Sequence, residues 1–333
     1  MIFVTGGTGL LGSHLLVELA QNNQDIRAIY RCEKKKESVR SLFKYYIAKD
    51  YNLFFDRIEW IKSDILDIID LRDAMEGAKQ IYHCAGLVSF HKRDFNKLLK
   101  INYEGTSNIV NLALEIKNCK LCYVSSTAAI GGEKNEYINE KSKWKNTPKT
   151  SGYSVSKYSA EREVWRAIQE GLNAVIVNPC VIIGAGNWKL SSLKIFDTLK
   201  KGSWFYPPGS NAIVDARDVS EIMIKLMNSD IKSERFLCIG SNQSFKKLMF
   251  EIAQKLGVNP PKKAVSRYIV EVTRVIIELF SMLTGKKNPM TSDTINSLFD
   301  HKSYDASKIK NLLNYKFRDL SEAIENSIRG QQH

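Results

Sequence analysis

Tyr153-Ser-Val-Ser-Lys157 is the stretch whose residue types and spacing point most directly to chemistry. Residues four apart share one face of a helix, so this spacing presents a phenol and an ammonium together. The ammonium favours phenolate and lowers a pKa that is about 10 in model peptides. Tyr153 can then trade a proton with an alcohol or a carbonyl at neutral pH. The pair follows an apolar run, Lys120 to Val124, that ends in Ser125-Ser126-Thr127.

Such a pair needs elements that hold it beside a reactant, and the start of the chain supplies them. Met1 to Thr5 has a short strand pattern, Gly6-Gly7-Thr8-Gly9-Leu10-Leu11-Gly12 is a glycine-rich turn, and Ser13 to Ala20 repeats apolar residues at helical spacing. Strand, glycine turn and helix in that order form a dinucleotide-binding fingerprint: the glycines allow a tight turn, backbone approach to a pyrophosphate, and close helix packing. The helix N-terminus adds partial positive charge. A bound oxidised nicotinamide adds further positive charge near Tyr153. Asp25 to Arg31 reads as the second strand. A carboxylate at its end suits the ribose of NAD and a cation suits the 2'-phosphate of NADP; Tyr30-Arg31, with no carboxylate before Glu33, points to NADP, with NAD as the alternative.

Further strands are expected at Arg57 to Lys62, Gln80 to Cys84, Lys120 to Val124 and Asn173 to Asn178. Helices are expected at 36–48, 67–76, 93–117 with Asn102 inside, and from Tyr153, with a loop over 131–150. Alternating strands and helices imply a doubly wound parallel α/β sheet covered on both faces. The expected division is a cofactor domain over 1–178, carrying the Tyr153 helix, and a smaller C-terminal substrate lobe over 179–333 with some segments returning to the first.

Taken together, these residues resemble the extended short-chain dehydrogenase/reductase family, whose cofactor domain is a Rossmann fold. The motifs are Thr5-Gly6-x-x-Gly9-x-x-Gly12, Asp64, Ala85-Gly86, Asn102, Ser125-Ser126-Thr127, Tyr153-x-x-x-Lys157, Asn178-Pro179 and Val214 to Val219, which span nearly the whole chain. The resemblance implies a hydroxyl polarising the substrate oxygen, a tyrosine exchanging a proton and a lysine bonding the nicotinamide ribose. Thr127 matches the sugar-modifying members and Ser126 those resembling hydroxysteroid dehydrogenases; both stay open. It further implies cofactor contacts from Gly6, Thr8, Gly9, Leu10, Leu11, Gly12, Arg31, Asp64 with Ile65, Ala85, Gly86, Asn102, Tyr153, Lys157, Pro179 and Val181. Substrate contacts fall to Val88, Thr127, Tyr153 and Tyr206, and a homodimer is expected through the helices after the fourth and fifth strands.

Departures narrow the subclass. Ala128-Ala129 replaces the Asp-Glu pair of the dehydratases, and Gly131-Gly132 and Asn178-Pro179 stand where many epimerases carry Tyr-Gly and Arg-Pro. The reading is an NADP(H)-dependent reductase or dehydrogenase of a small carbonyl or alcohol, similar to dihydroflavonol reductase. A nucleotide-sugar epimerase using NAD is the alternative within enzymes, and a non-catalytic NAD(P)-binding regulator is the alternative outside them.

Composition agrees with a globular protein: 333 residues, 44% hydrophobic and 26% charged. The net charge of +13 is spread along the chain, so it reads as a lysine-rich surface favouring anionic ligands rather than a nucleic-acid site. Six cysteines without regular spacing are expected to be free thiols, and no metal site is expected, since Cys119-Lys-Leu-Cys122 has no second pair. His83 is expected to be a packed core residue. Trp204-Phe205-Tyr206 is either core or pocket wall. No leader precedes the first strand, and Tyr268 to Leu283 is interrupted by Glu271, Arg274 and Glu278, so a cytoplasmic chain without a membrane span is expected. A helix in that stretch can cap the pocket, meet a protein or lie on a surface.

Overall fold

The computed structural model describes residues 1–22, 24–132, 136–148, 150–284 and 291–331, apart from the side chains of 275 and 278–284. Seven parallel strands form the main sheet: β1 (Ile2–Thr5), β2 (Ile26–Tyr30), β3 (Glu59–Lys62), β4 (Gln80–His83), β5 (Lys120–Val124), β7 (Asn173–Pro179) and β11 (Glu234–Cys238). Their spatial order is β11-β7-β5-β4-β1-β2-β3. The order reverses direction between β1 and β4, and a ligand of such a sheet binds outside the carboxyl ends of the strands at that crevice.

Strand alternation sorts the core. Val4, Cys122, Val175 and Val177 face one side, packing with α1 (Leu10–Gln21) and α2 (Glu33–Ile47). The short helix α3 (Tyr51–Asp56), absent from the sequence expectation, joins this layer through Phe55. Phe3, Ile81, Leu121, Tyr123 and Ile176 face the other side, against α4 (Ile68–Met75), α6 (Gly105–Glu115) and α7 (Gly152–Gln169). Each such fully buried large side chain contributes about 1.5–3 kcal/mol relative to exposure. Cys119 and Cys122 fall in opposite layers, so they do not share a site, and all six cysteines are free thiols.

The single helix expected over 93–117 is instead a composite. A 3-10 turn at Lys92–Asp94 leads into α5 (Phe95–Leu98), a π-helical stretch at Leu99–Glu104, and then α6. The wider π turn carries Asn102, and such turns concentrate at functional sites.

Beyond β7 the chain builds a smaller lobe. It contains β8 (Val181–Ile183), α8 (Lys194–Lys200), β9 (Phe205–Tyr206), β10 (Ser210–Asp215), β12 (Ser241–Ser244), α10 (Phe245–Leu256), β13 (Lys263–Ala264) and α11 (Arg267–Thr284). After it come α12 (Ser292–Phe299), β14 (Ser303–Tyr304), α13 (Ser307–Leu313) and α14 (Leu320–Arg329). Its own core joins Trp188, Phe196, Ile213, Leu248, Ile252 and Ile324. Segments of this half return to the main sheet: β11, paired with β7; α9 (Ala216–Met227), which packs on α1; and α13, which packs on β11 through Ile309. Within the expected loop 131–150, Tyr137–Ile138 forms β6 and pairs with β14, while residues 133–135 and 149 lie outside the described residues.

Trp204 and Phe205 are not core: both side chains are exposed, and Tyr206 is half-buried. No helix among the described residues is long and apolar enough to cross a membrane.

Candidate active site

Ser151 caps α7 by accepting from the Ser154 amide at 3.1 Å. The buried stripe Ala160, Val164, Ala167 and Ile168 binds the helix to the sheet. Its first turns therefore reach the carboxyl edge, and Tyr153 and Lys157 come with them. Lys157 is buried; its Nζ donates to the Val124 carbonyl at 2.8 Å and to the Tyr123 hydroxyl at 2.9 Å. Burial pulls this ammonium down to about 7, against an opposing pull from Glu161. The Tyr153 ring meets Phe90 edge-on at 5.9 Å between centroids. Burial raises the Tyr153 phenol above its ordinary value, opposed by a hydrogen bond with Ser126. At neutral pH Tyr153 is thus a phenol rather than a phenolate.

Ser126 and Thr127, equivalent in the sequence, have different neighbours. The Ser126 hydroxyl lies with Tyr153 and also accepts from the Ala128 amide at 3.1 Å. The Thr127 side chain instead lies toward the hydroxyl of Tyr304, a buried residue of β14 whose upward shift on burial it opposes. Behind them sits a carboxylate that sequence reading missed. Glu161 is buried, accepting from Ser125 Oγ at 2.6 Å, Asn178 Nδ2 at 2.8 Å and Arg235 Nη1 at 3.0 Å. Asn178 Nδ2 also reaches the Ser126 carbonyl at 3.1 Å, tying β7 to the Ser126 corner. The helical step from Lys157 to Glu161 was the available signal.

On the cofactor side, β1 turns through Gly6, whose φ is +69° and whose Cα lies against β4; an added Cβ would stand 2.5 Å from Ala85 N. A Cβ on Gly12 would stand 2.2 Å from Gly6 O, so only glycine lets α1 begin this close to the turn. No side chain caps α1, whereas Asp67, Ser151, Asp215, Ser244, Thr291 and Asp319 cap other helices. The first-turn amides of Leu10, Leu11 and Gly12, next to Thr8 and Gly9, thus remain for an anion. Gly86 continues the groove: a Cβ there would lie 3.9 Å from Lys157 Nζ. These features fit a dinucleotide whose pyrophosphate lies on α1 and whose nicotinamide end reaches Lys157.

The remaining expected residues divide. Ala85 receives its position from Thr5 Oγ1, 3.3 Å from its amide. Asn102 is buried and committed to protein: Oδ1 accepts from the Leu87 amide at 2.7 Å, and Nδ2 donates to Leu87 O and Ser156 Oγ, both at 2.9 Å. It positions the groove loop. Arg31 and Asp64 pair with each other at 3.3 Å on the rim, and the neighbouring Ile65 packs against Gly105. Pro179 ends β7 and Val181 opens β8, half-buried against the small lobe. Val88 is exposed. Tyr206 packs against Phe250 of α10. The motif at 214–219 is structural: Asp215 caps α9, and buried Asp218 takes Arg318 and Tyr315. His83 is buried between Thr5 and Thr106 hydroxyls at 2.6 and 3.0 Å, and burial depresses it to about 3. No metal-type cluster occurs among the described residues.

Comparison with known proteins agrees with this geometry. The family model described as the NAD dependent epimerase/dehydratase family matches residues 2–236. The chain belongs to this family. Among curated relatives, a putative dihydroflavonol 4-reductase from Synechocystis sp. is 25% identical over 99% of this chain and 94% of its own. Sterol demethylase protein B from Methylococcus capsulatus is 27% identical over 79% and 76%. The solved UDP-glucuronic acid 4-epimerase from Bacillus cereus, in complex with UDP-glucuronic acid and NAD, superposes with a TM-score of 0.76 over 99% of both chains at 19% identity, which establishes the shared fold.

As a member of the epimerase/dehydratase family with reductase relatives, the chain is an NAD(P)-dependent enzyme of the oxidoreductase/epimerase type. In such enzymes a bound nicotinamide supplies the hydride chemistry, and binding, orientation and proton exchange fall to the protein.

Proposed function

We propose that the chain is an NADP(H)-dependent reductase, or in reverse a dehydrogenase, acting on a carbonyl or secondary alcohol of a small apolar molecule. The placement of the Ser126 side chain beside Tyr153, with Lys157 one helical turn away, carries the reading. In this reading the Ser126 hydroxyl holds the substrate oxygen and Tyr153 delivers the proton to it. Lys157 bonds the ribose and replaces the positive charge that Tyr153 needs when it gives up its proton. Phe90 meets Tyr153 edge-on and Phe95 lies against the adjoining Gly152, apolar surface that supports a hydrophobic substrate.

Two observations support NADP. Arg31 is 60% exposed at the end of β2, and its pair with Asp64 is a weak, solvent-facing one that a 2'-phosphate can displace. The carboxylate following it, Glu33, is occupied by Lys36 and Tyr30. We further read the protein as a cytoplasmic homodimer through α6 and α7, a state that light scattering checks. Following NADPH absorbance with a panel of ketones and aldehydes tests the activity. Tyr153→Phe should lower turnover by about 10²-fold or more. Equal turnover in the variant, or copurifying NAD with sugar inversion and no net cofactor consumption, sinks the reductase reading.

A further inference from the structure

We propose that the exposed face of α11, together with Trp204 and Phe205, docks this protein on an anionic lipid bilayer. Tyr268, Ile269, Val272 and Ile276 recur at helical spacing, and all four are exposed, Tyr268 at 77%. Val270, on the other side, is buried. β13 pairs Lys263 with Phe205, and only two residues separate Ala264 from the start of α11. The aromatic pair and the first turn of α11 are therefore held within a few residues' reach of each other. Trp204 is 54% exposed, with Lys262 Nζ 4.7 Å from its ring.

The charges around this face choose the occupant. Lys262, Lys263 and Arg267 are all exposed and have no ion-pair partner among the described residues. Glu271 on the helix itself is occupied by Arg274 at 2.9 Å. An apolar helical face with an aromatic residue beside it and cations at its rim suits the boundary between lipid headgroups and acyl chains. The net charge of +13 acts in the same direction. A second copy of this chain suits it less, because a two-fold interface sets the same lysines against one another. No helix among the described residues is long and apolar enough to cross a membrane, so the proposed contact is with the bilayer surface. Its neighbour α12 carries Asp293, which lies near enough to the Gly152 amide, next to Tyr153, for that amide to oppose the upward pull of burial on its carboxyl. The docking face and the site thus share one support.

The full chain is spun with vesicles of phosphatidylcholine containing phosphatidylglycerol, and with phosphatidylcholine alone, at low and high salt. We expect pelleting with the anionic vesicles at low salt, weakened as salt rises. Ile269→Glu with Val272→Glu should cut partition about tenfold or more. Lys262→Glu with Lys263→Glu should remove the preference for anionic lipid while leaving melting temperature and dinucleotide binding unchanged, so the test survives if the first variant fails to fold. Three results overturn the proposal: no pelleting with anionic vesicles at low salt, lysine variants that bind as the parent does, or a self-association in sedimentation that the apolar variant abolishes while vesicles are ignored.

Discussion

Glu161 stands one helical turn beyond Lys157, and its carboxylate takes the Ser125 hydroxyl at 2.6 Å, next door to the hydroxyl that meets Tyr153. One buried charge thus supports both halves of the site. It raises the Lys157 ammonium, which burial depresses, and it fastens the end of β5 to α7. Arg235, from a strand that follows the rest of the cofactor domain in sequence, balances it at 3.0 Å.

Glu161→Gln keeps the shape and removes the charge, leaving the Arg235 guanidinium without its carboxylate. Stability should fall by about 2–4 kcal/mol, somewhat under the figure for a fully buried pair because Arg235 keeps partial contact with solvent. With its counter-charge gone, Lys157 should titrate lower still. Urea denaturation and the pH dependence of dinucleotide binding read the two effects separately. A variant that melts early yet binds with the parental pH profile limits Glu161 to a structural role.

Lys157 titrates at about 7 in the free protein, so its protonated form dominates only below that pH. The ammonium is the form that donates to a ribose hydroxyl. Dinucleotide affinity should therefore be flat below about pH 7 and weaken as pH rises through it, by up to about tenfold per unit until the bound-state pKa is passed. Lys157→Met should bind weakly at all pH and lose the slope. Calorimetry between pH 6 and 9 on both proteins measures it; an unchanged slope in the variant assigns the titration elsewhere.

Ser126 and Thr127 should separate cleanly. Ser126→Ala removes the hydroxyl beside Tyr153 and should lower kcat/KM by about 10²-fold. Thr127→Val leaves catalysis near parental but strands the buried Tyr304 hydroxyl, at a cost of about 1–3 kcal/mol in stability. Reversed behaviour, with Thr127→Val inactive and stable, places the working hydroxyl at Thr127.

This distinction was not legible in the sequence because it depends on Tyr304, which arrives from the far end of the chain through the pairing of β14 with β6. What could be read were features fixed within a few residues. The glycine turn requires backbone conformations that only its own residues supply, and the Tyr153-Lys157 pair needs only helical spacing and the cap at Ser151. The π-wound stretch at Leu99–Glu104 lacks a comparable mark, since one extra residue per turn leaves apolar spacing almost unaltered. Exposure of Trp204 and Phe205 was hidden for the opposite reason: aromatic residues are core by habit, and only the pairing of β9 with β13 turns them outward.

His83 is buried and neutral, held between two threonine hydroxyls. Its folded pKa of about 3 lies below the ordinary 6.5, so the unfolded chain binds a proton that the native chain refuses between those values. Stability contributed here is intact above about pH 6.5 and is lost on acidification toward 3, with a slope of up to about 1.4 kcal/mol per unit. His83→Gln should start less stable and show a shallower fall in urea midpoint from pH 7 to 5. His14, also buried with its pKa lowered by burial, keeps part of the slope in that variant.

Arg31 offers the sharpest test of cofactor choice. Its guanidinium rests on Asp64 at 3.3 Å on the open rim, where solvent screens the pair. A 2'-phosphate is a stronger, bidentate partner than one carboxylate, so phosphate binding should break the pair without a large cost. Arg31→Ala removes that partner and leaves Asp64 open to a ribose hydroxyl. KM for NADPH should rise by about tenfold or more, while KM for NADH stays level or falls. Steady-state kinetics with both nucleotides at fixed substrate measure the ratio. If NADPH and NADH weaken equally, Arg31 serves the fold of the rim rather than the phosphate, and the preference for NADP loses its main support.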